Sequence, residues 1–253
     1  MPAREGGQPE KHGNGARALQ ETLALLREGT ITLSQPLPWG SNYDFAILVE
    51  APAGEEVIAI YKPARGEAPL WDFERGTLYR REYAAYLVSA ALGWDIVPPT
   101  VTRDGPEGVG SVQLYIEPAD EYDFRALRQS HAHELRRMAL FDLIINNADR
   151  KVSHLLKAAD GHLWGIDHGL TFHTVPKLRT VIWDCVGEPV PAPLLSDLEQ
   201  LIARKARLDP LLAELRSLLT PAEIDAFLAR IKRILRRPVY PLLDAYRNTP
   251  RGF

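Results

Sequence analysis

Apolar residues recur at helical spacing at Leu19, Leu23, Leu25 and Leu26, and Gly29 follows them, which predicts a short amphipathic helix beginning at Ala16. The period then changes from helical to alternating. TITLSQ, DFAILVE and EVIAIYKP are β-branched or alternating runs separated by the turn-rich PLPWGSNY and APAGE, the pattern of a three-stranded antiparallel meander. In the third run Ile58, Ile60 and Lys62 fall on one face, so a cation ends an apolar row. Thr77 is placed to cap a helix through LYRREYAAYLVSAAL that stops at Gly93, and VPPTVTRDGPEGVGSVQLYIE reads as two further strands around a Gly/Pro turn. Beyond them the pattern is helical through HELRRMALFDLIINN, SDLEQLIARKARL and PLLAELRSLL. A last helix is opened by a Thr220, Pro221, Glu223 capping box. One stretch interrupts the helices: HLLKAADGHLWGID, a hairpin turning at Asp160-Gly161.

The order predicts an α+β protein with a disordered tail over 1–15, a small β-rich lobe over 16–117 and a larger helical lobe over 118–253 that holds the hairpin. Glu117 to Tyr122 is the expected hinge. At 253 residues the chain is long enough for a sizeable core without staples. Its one cysteine, Cys185, excludes an intramolecular disulfide and a multi-cysteine zinc site and suggests a reducing, cytoplasmic setting. The first residues lack the apolar run of a signal peptide, and no stretch is long and apolar enough to span a membrane. Thirty Lys and Arg against 33 Asp and Glu leave a net charge of -3, which argues against nucleic acid as a partner. A monomer is expected.

The chemistry concentrates in FDLIINNADRKVSHLLKAADGHLWGIDHG, residues 141–169. Antiparallel pairing brings His154, just before the first hairpin strand, beside Asp167, just after the second, where the two could share a cation. Asp149 precedes them in an irregular loop, NNADRKVS, that could face the same opening. Few protein ligands around a carboxylate suit Mg²⁺, which completes its shell with water and substrate phosphates, so phosphoryl transfer is the natural chemistry. A kinase site needs a strand lysine for the α/β-phosphates, a helix glutamate to hold it, a base and a metal-binding aspartate. Lys62, Glu82, Asp149 and Asp167 supply these in the required order.

On these residues the chain resembles the phosphatidylinositol 3- and 4-kinase-like superfamily, including the HipA-type bacterial protein kinases and a set of actinobacterial relatives. The superfamily's N-x-D-R-H-x-x-N motif reads NADRKVSH at 147–154, and its metal motif reads IDHG at 166–169. YKP at 61–63, RREYAAYL at 80–87 and WGSN at 39–42 are similar to its ATP lobe. The resemblance implies a two-lobed, protein-kinase-like fold that binds ATP with Mg²⁺ or Mn²⁺. It gives Asp149 the role of base and Lys151 that of charge neutraliser, with metal on Asp167 and His154 and nucleotide on Lys62 and Glu82. Backbone groups of Ser41 and Asn42 would donate to a phosphate, and the backbone of LYIE, including Leu114 and Ile116, would meet adenine. Two positions depart: Lys151 stands for histidine, and His154 for the metal-binding asparagine. Histidine is the softer donor, which tilts the site towards Mn²⁺.

The expected reaction is transfer of the γ-phosphate to a hydroxyl acceptor, protein Ser/Thr first and a small metabolite next. A nucleotide-binding pseudokinase and an AMP transferase on the same fold stay open as alternatives. Asn146 and Asn147 are expected to orient their loop, His168 to pack or cap, and Lys177 with Arg179 to meet an anionic acceptor. Arg230 to Arg237 form a basic helix face read as solvated, and Trp71, Trp94, Trp164 and Trp183 are assigned to the core or the lobe interface.

Overall fold

The structure, a computed structural model, describes residues 11–38, 42–119 and 123–250, and for 11–16 the backbone alone. Ser41 and residues 1–10 of the expected tail therefore lie outside the described residues. Helix α1 (Lys11–Glu28) begins five residues before Ala16 and buries Leu23 and Leu26. Its end is not closed by a left-handed glycine. A Cβ on Gly29 would come within 2.6 Å of Val49 Cγ1, so the close approach of helix to strand is what calls for glycine. The Arg103 guanidinium donates to the carbonyls of Leu26 and Gly29 and supplies the positive charge that a helix C-terminus favours.

Five strands form one antiparallel sheet: β1 (Thr30–Pro36), β2 (Phe45–Glu50), β3 (Glu56–Pro63), β4 (Thr100–Gly105) and β5 (Gly108–Leu114), in the order β1-β2-β3-β5-β4. All five runs read from the alternation are strands. The two-residue period divides β3 cleanly: Ala59 and Tyr61 are buried against the core, while Ile58, Ile60 and Lys62 lie on the other face, where Ile58 is 51% exposed. The apolar row leading to the lysine is thus the open face of the sheet. Where β5 passes β3, a Cβ on Gly110 would sit 2.5 Å from the Lys62 carbonyl oxygen and 2.7 Å from the Tyr61 ring.

Helix α2 (Leu78–Leu92) follows a loop and ends on Gly93 at φ 67°, the expected left-handed cap. Its start departs from expectation. The Thr77 hydroxyl donates to the Glu74 carbonyl, and the Glu67 carboxylate takes the capping role by accepting from the amides of Gly76 and Tyr79 at 2.7 and 3.0 Å. A cap reaching in from an earlier loop leaves no mark at the helix start itself.

The helical lobe comprises α3 (Phe124–Ser130), α4 (Ala132–Ile145), α5 (Ala192–Ala203), α6 (Lys205–Leu218) and α7 (Pro221–Arg236). Its hairpin pairs β6 (Leu155–Lys157) with β7 (Leu163–Gly165), turning at Gly161 with φ 86°. The break expected at Pro210 falls instead at Arg204, and Pro210 lies inside α6. The Thr220 capping box forms. Its Glu223 also accepts from Arg81 at 2.6 Å, a buried ion pair that fastens α2 to the start of α7. Trp94 is buried and donates to Asp197, but Trp71 is 90% exposed and so lies outside the core. The ring has a different partner, the Lys177 ammonium, 5.0 Å from its centroid.

Gly110→Ala is expected to destabilise the sheet by about 1–3 kcal/mol, the usual cost of overpacking, because the added methyl meets the backbone of Lys62 and Pro63 as well as the buried Tyr61 ring. Urea unfolding of the variant against the parent measures it.

Candidate active site

Lys62 leaves β3 on its open face and reaches two carboxylates. Its Nζ lies 2.6 Å from Glu82 Oε1 on α2 and 3.0 Å from Asp167 Oδ1 after β7. Burial by itself opposes the ammonium's charge, but the carboxylates of Asp167, Glu82 and Asp44 outweigh it and raise the Lys62 pKa above its ordinary value. Asp167 moves the other way. Lys62 above all, against the effect of burial and with help from His154, holds its carboxyl well below the usual range. The residue sits at φ 60°, a left-handed conformation that turns its side chain out at the end of the hairpin.

The hairpin does what antiparallel pairing requires. His154 and Asp167 flank its open end, Nε2 to Oδ2 at 3.2 Å, and the Ile166 amide donates to the His154 carbonyl at 3.0 Å. Burial pushes His154 down to about 4, so its ring is neutral at pH 7. Asp149 lines the same cavity of about 140 Å³ as Lys62, Glu82 and Asp167, and its carboxylate is 3.0 Å from Lys151 Nζ. Burial raises the Asp149 pKa although Lys151 opposes the rise, which makes it a stronger base than a free aspartate.

Among the described residues no three His, Cys, Asp or Glu side chains gather around one point as a metal cage. Two donors, Asp167 and His154, face each other instead. That set fits an ion drawing the rest of its shell from water and phosphate oxygens. Nδ1 accepts from the Lys151 amide at 3.5 Å, and moving the ring proton from Nε2 to Nδ1 would give up that contact and present a lone pair on the side of Asp167.

Residues 103–216 match the family of phosphatidylinositol 3- and 4-kinases. The structure of hydra Fam20 with sugar superposes with a TM-score of 0.59 at 14% identity, covering 86% of this chain and 87% of that one. The Golgi casein kinase with Mn/ADP bound gives 0.54 at 15%, covering 94% and 81%. The chain belongs to the phosphatidylinositol 3- and 4-kinase-like superfamily. The Helicobacter pylori proinflammatory kinase CtkA also superposes, with a TM-score of 0.51 at 10% identity over 85% of this chain and 94% of its own. Protein Rv2133c of Mycobacterium tuberculosis (strain ATCC 25618 / H37Rv) is 38% identical over 263 residues, which span 90% of this chain and 93% of that protein.

The 147–154 loop that matches the superfamily's motif is held by Arg150, to which that motif gave no role. Arg150 is fully buried. It donates to both oxygens of Asp142 on α4, from Nε at 2.9 Å and from a terminal nitrogen at 2.8 Å. Its remaining donors reach the carbonyls of His154 and Ile166 and the Nε2 of His168. One guanidinium therefore ties α4, the 147–154 loop and the 166–169 segment together. A sign of it was available: Asp142 is a lone charge in the apolar run ALFDLII, and such a charge needs a buried partner. His168 does more than pack, since its amide donates to Glu82 Oε2 at 2.8 Å and so joins the metal motif to the small lobe.

Asn146 and Asn147 orient the loop as expected. Asn146, at φ 57°, donates to the carbonyls of His173 and Val175 and accepts from the Lys177 amide, and Asn147 bridges Asp142 and the Asp149 amide. Asn42 lines the cavity, but its side chain accepts from the Ala68 amide at 2.9 Å and fastens the loop before α2. Leu114 and Ile116 do not line that cavity, and the Leu114 and Tyr115 amides are taken by Pro99 and Ile58 carbonyls. Adenine contact by the segment would fall to its other backbone groups. Asp44 and Glu67 line the cavity and were missed, since neither belongs to a motif. Lys177 forms a largely buried 2.7 Å pair with Asp72, so its charge is not free for an anionic acceptor.

Arg150→Met is expected to lower stability by about 3–5 kcal/mol because Asp142 is left buried and unpaired, whereas the Asp142→Leu, Arg150→Met double variant recovers part of the loss. Chemical denaturation of the three variants tests this. His154 adds a pH dependence. Its folded pKa of about 4 lies below the unfolded value near 6.5, so the unfolded state takes up the proton first. Stability is full above pH 6.5 and falls as pH drops towards 4, and His154→Asn should flatten that decline in chelator-treated buffer.

Proposed function

We propose that this protein is an ATP-dependent phosphotransferase that moves the γ-phosphate to a hydroxyl, with protein Ser/Thr or its own chain as the acceptor. The observation that carries the reading is the junction at Lys62: one ammonium within 3.0 Å of both Glu82 and Asp167. It joins the small lobe's lysine to the helical lobe's metal motif. A solvated or merely structural lysine has no need of two carboxylates drawn from separate lobes.

Lys62, oriented by Glu82, binds the α/β-phosphates as a fixed positive charge. Asp167 and His154 would hold Mg²⁺ or Mn²⁺, which when bound neutralises phosphate charge and orients the transferring group. Asp149 accepts the proton of the acceptor hydroxyl at its carboxylate, and the raised pKa suits it to do so. Lys151, paired with Asp149, would offset charge that develops on the transferring group. Arg150 acts only through the backbone it holds, keeping Asp149 and His154 in register with Asp167. The Golgi casein kinase with Mn/ADP bound supports a nucleotide and divalent ion in this fold, and the imidazole of His154 favours Mn²⁺ within that pair.

Asp149→Ala and Asp167→Ala are each expected to reduce transfer from γ-labelled ATP at least about a hundredfold. Unchanged turnover in both would remove the assignment. Asp167→Ala should also lose the rise in melting temperature that ATP with Mn²⁺ gives the parent chain, while Asp149→Ala keeps it. His154→Asn should move the preferred ion from Mn²⁺ towards Mg²⁺, read as the ratio of rates in the two metals.

A further inference from the structure

A second cavity, of about 370 Å³, borders α2 on the loop before it, the 173–174 segment that follows the metal motif, and the junction of α6 with α7. Its size lies within the range of small-ligand sites, and nothing in the proposed phosphotransfer uses it. Six charged side chains line it: Asp72, Glu74, Arg80, Arg81, Arg216 and Glu223. Two of the three acids are already paired, Asp72 with Lys177 and Glu223 with Arg81. Arg80 and Arg216 form no ion pair among the described residues, and Arg80 spends only its Nε, on the Tyr79 hydroxyl at 3.2 Å. With those two pairs counted as neutral, Arg80 and Arg216 leave one positive charge in excess over Glu74 at the cavity.

The donors are suited to a tetrahedral oxyanion. Two guanidinium groups with open terminal nitrogens approach from different elements, α2 and α6, and the exposed Thr174 adds a hydroxyl. Arg81 forms part of the wall and keeps one buried donor, Nε, without a partner, a deficit uncommon in a folded interior. We propose that this cavity binds a small phosphomonoester dianion clamped between Arg80 of the small lobe and Arg216 of the helical lobe. Such a ligand joins the lobes two residues from Glu82, on the helix that positions Lys62. Binding there does not depend on the chain being an active kinase.

The test is thermal melting of the full chain at constant ionic strength, titrated with inorganic phosphate and with O-phosphothreonine against a chloride reference. A saturable rise in melting temperature is expected for both phosphates. Arg80→Gln with Arg216→Gln should weaken it at least tenfold, and the paired lysine variants should keep part of it. Both arginines are at least partly solvent-exposed, so unliganded variants should melt near the parent temperature; the lysine pair provides the comparison if the glutamines do not. A shift that survives the double glutamine variant and is abolished by excess ATP would place phosphate in the nucleotide cleft and overturn the proposal. So would the absence of any shift, or a more than tenfold preference for a phosphothreonine peptide over both free ligands, which would make the partner a protein.

Discussion

The buried pair of Arg150 and Asp142 is the constraint on which the site depends. Removing a guanidinium and a carboxylate from water is costly, and the pair is tolerable only because every open valence is met nearby. Asp142 accepts from Arg150 twice and from Asn147, and Arg150 spans the His154 and Ile166 carbonyls as well. Because that satisfaction is geometrically strict, it fixes the relative position of α4, the loop bearing Asp149, and the hairpin end bearing Asp167. A pair of apolar residues would fill the space without imposing that register.

From this anchor the order passes outward to the small lobe. His168, packed against Arg150, presents its amide to Glu82, and Glu82 presents its other oxygen to Lys62. Lys62 closes the path on Asp167. The chain of contacts explains why Glu82 is buried on a helix whose other charges serve different ends. Arg81, its neighbour, holds α2 to α7 through Glu223, so successive residues of one helix bind the metal motif and the far end of the helical lobe. Lobe closure and the geometry of the charged cluster are thus parts of one packing arrangement.

Much of this was legible in the residues. The five strands followed from period-two alternation, and the hairpin from an Asp-Gly turn between apolar runs. The proximity of His154 and Asp167 followed from antiparallel pairing, because strand register is a local rule that needs no knowledge of the remaining chain. The superfamily was legible for the same reason, since its motifs are short and contiguous. What escaped was contact between distant segments. The helix start at α2 is capped by Glu67 instead of Thr77, Gly29 is required by Val49, and Trp71 is exposed over Lys177 of the other lobe and not in the core.

The sequence by itself determined the element order, the face on which Lys62 stands, and the meeting of two potential ligands at the hairpin's open end, because these depend on backbone periodicity and short turns. Only the tertiary structure decided that Arg150 is the buried tie, that Lys177 is already paired with Asp72, and that Asp44 joins the cleft. A charged side chain's role is set by which opposite charge the fold brings within about 3 Å and by how much water is excluded there, and neither quantity is written in a residue's immediate neighbours.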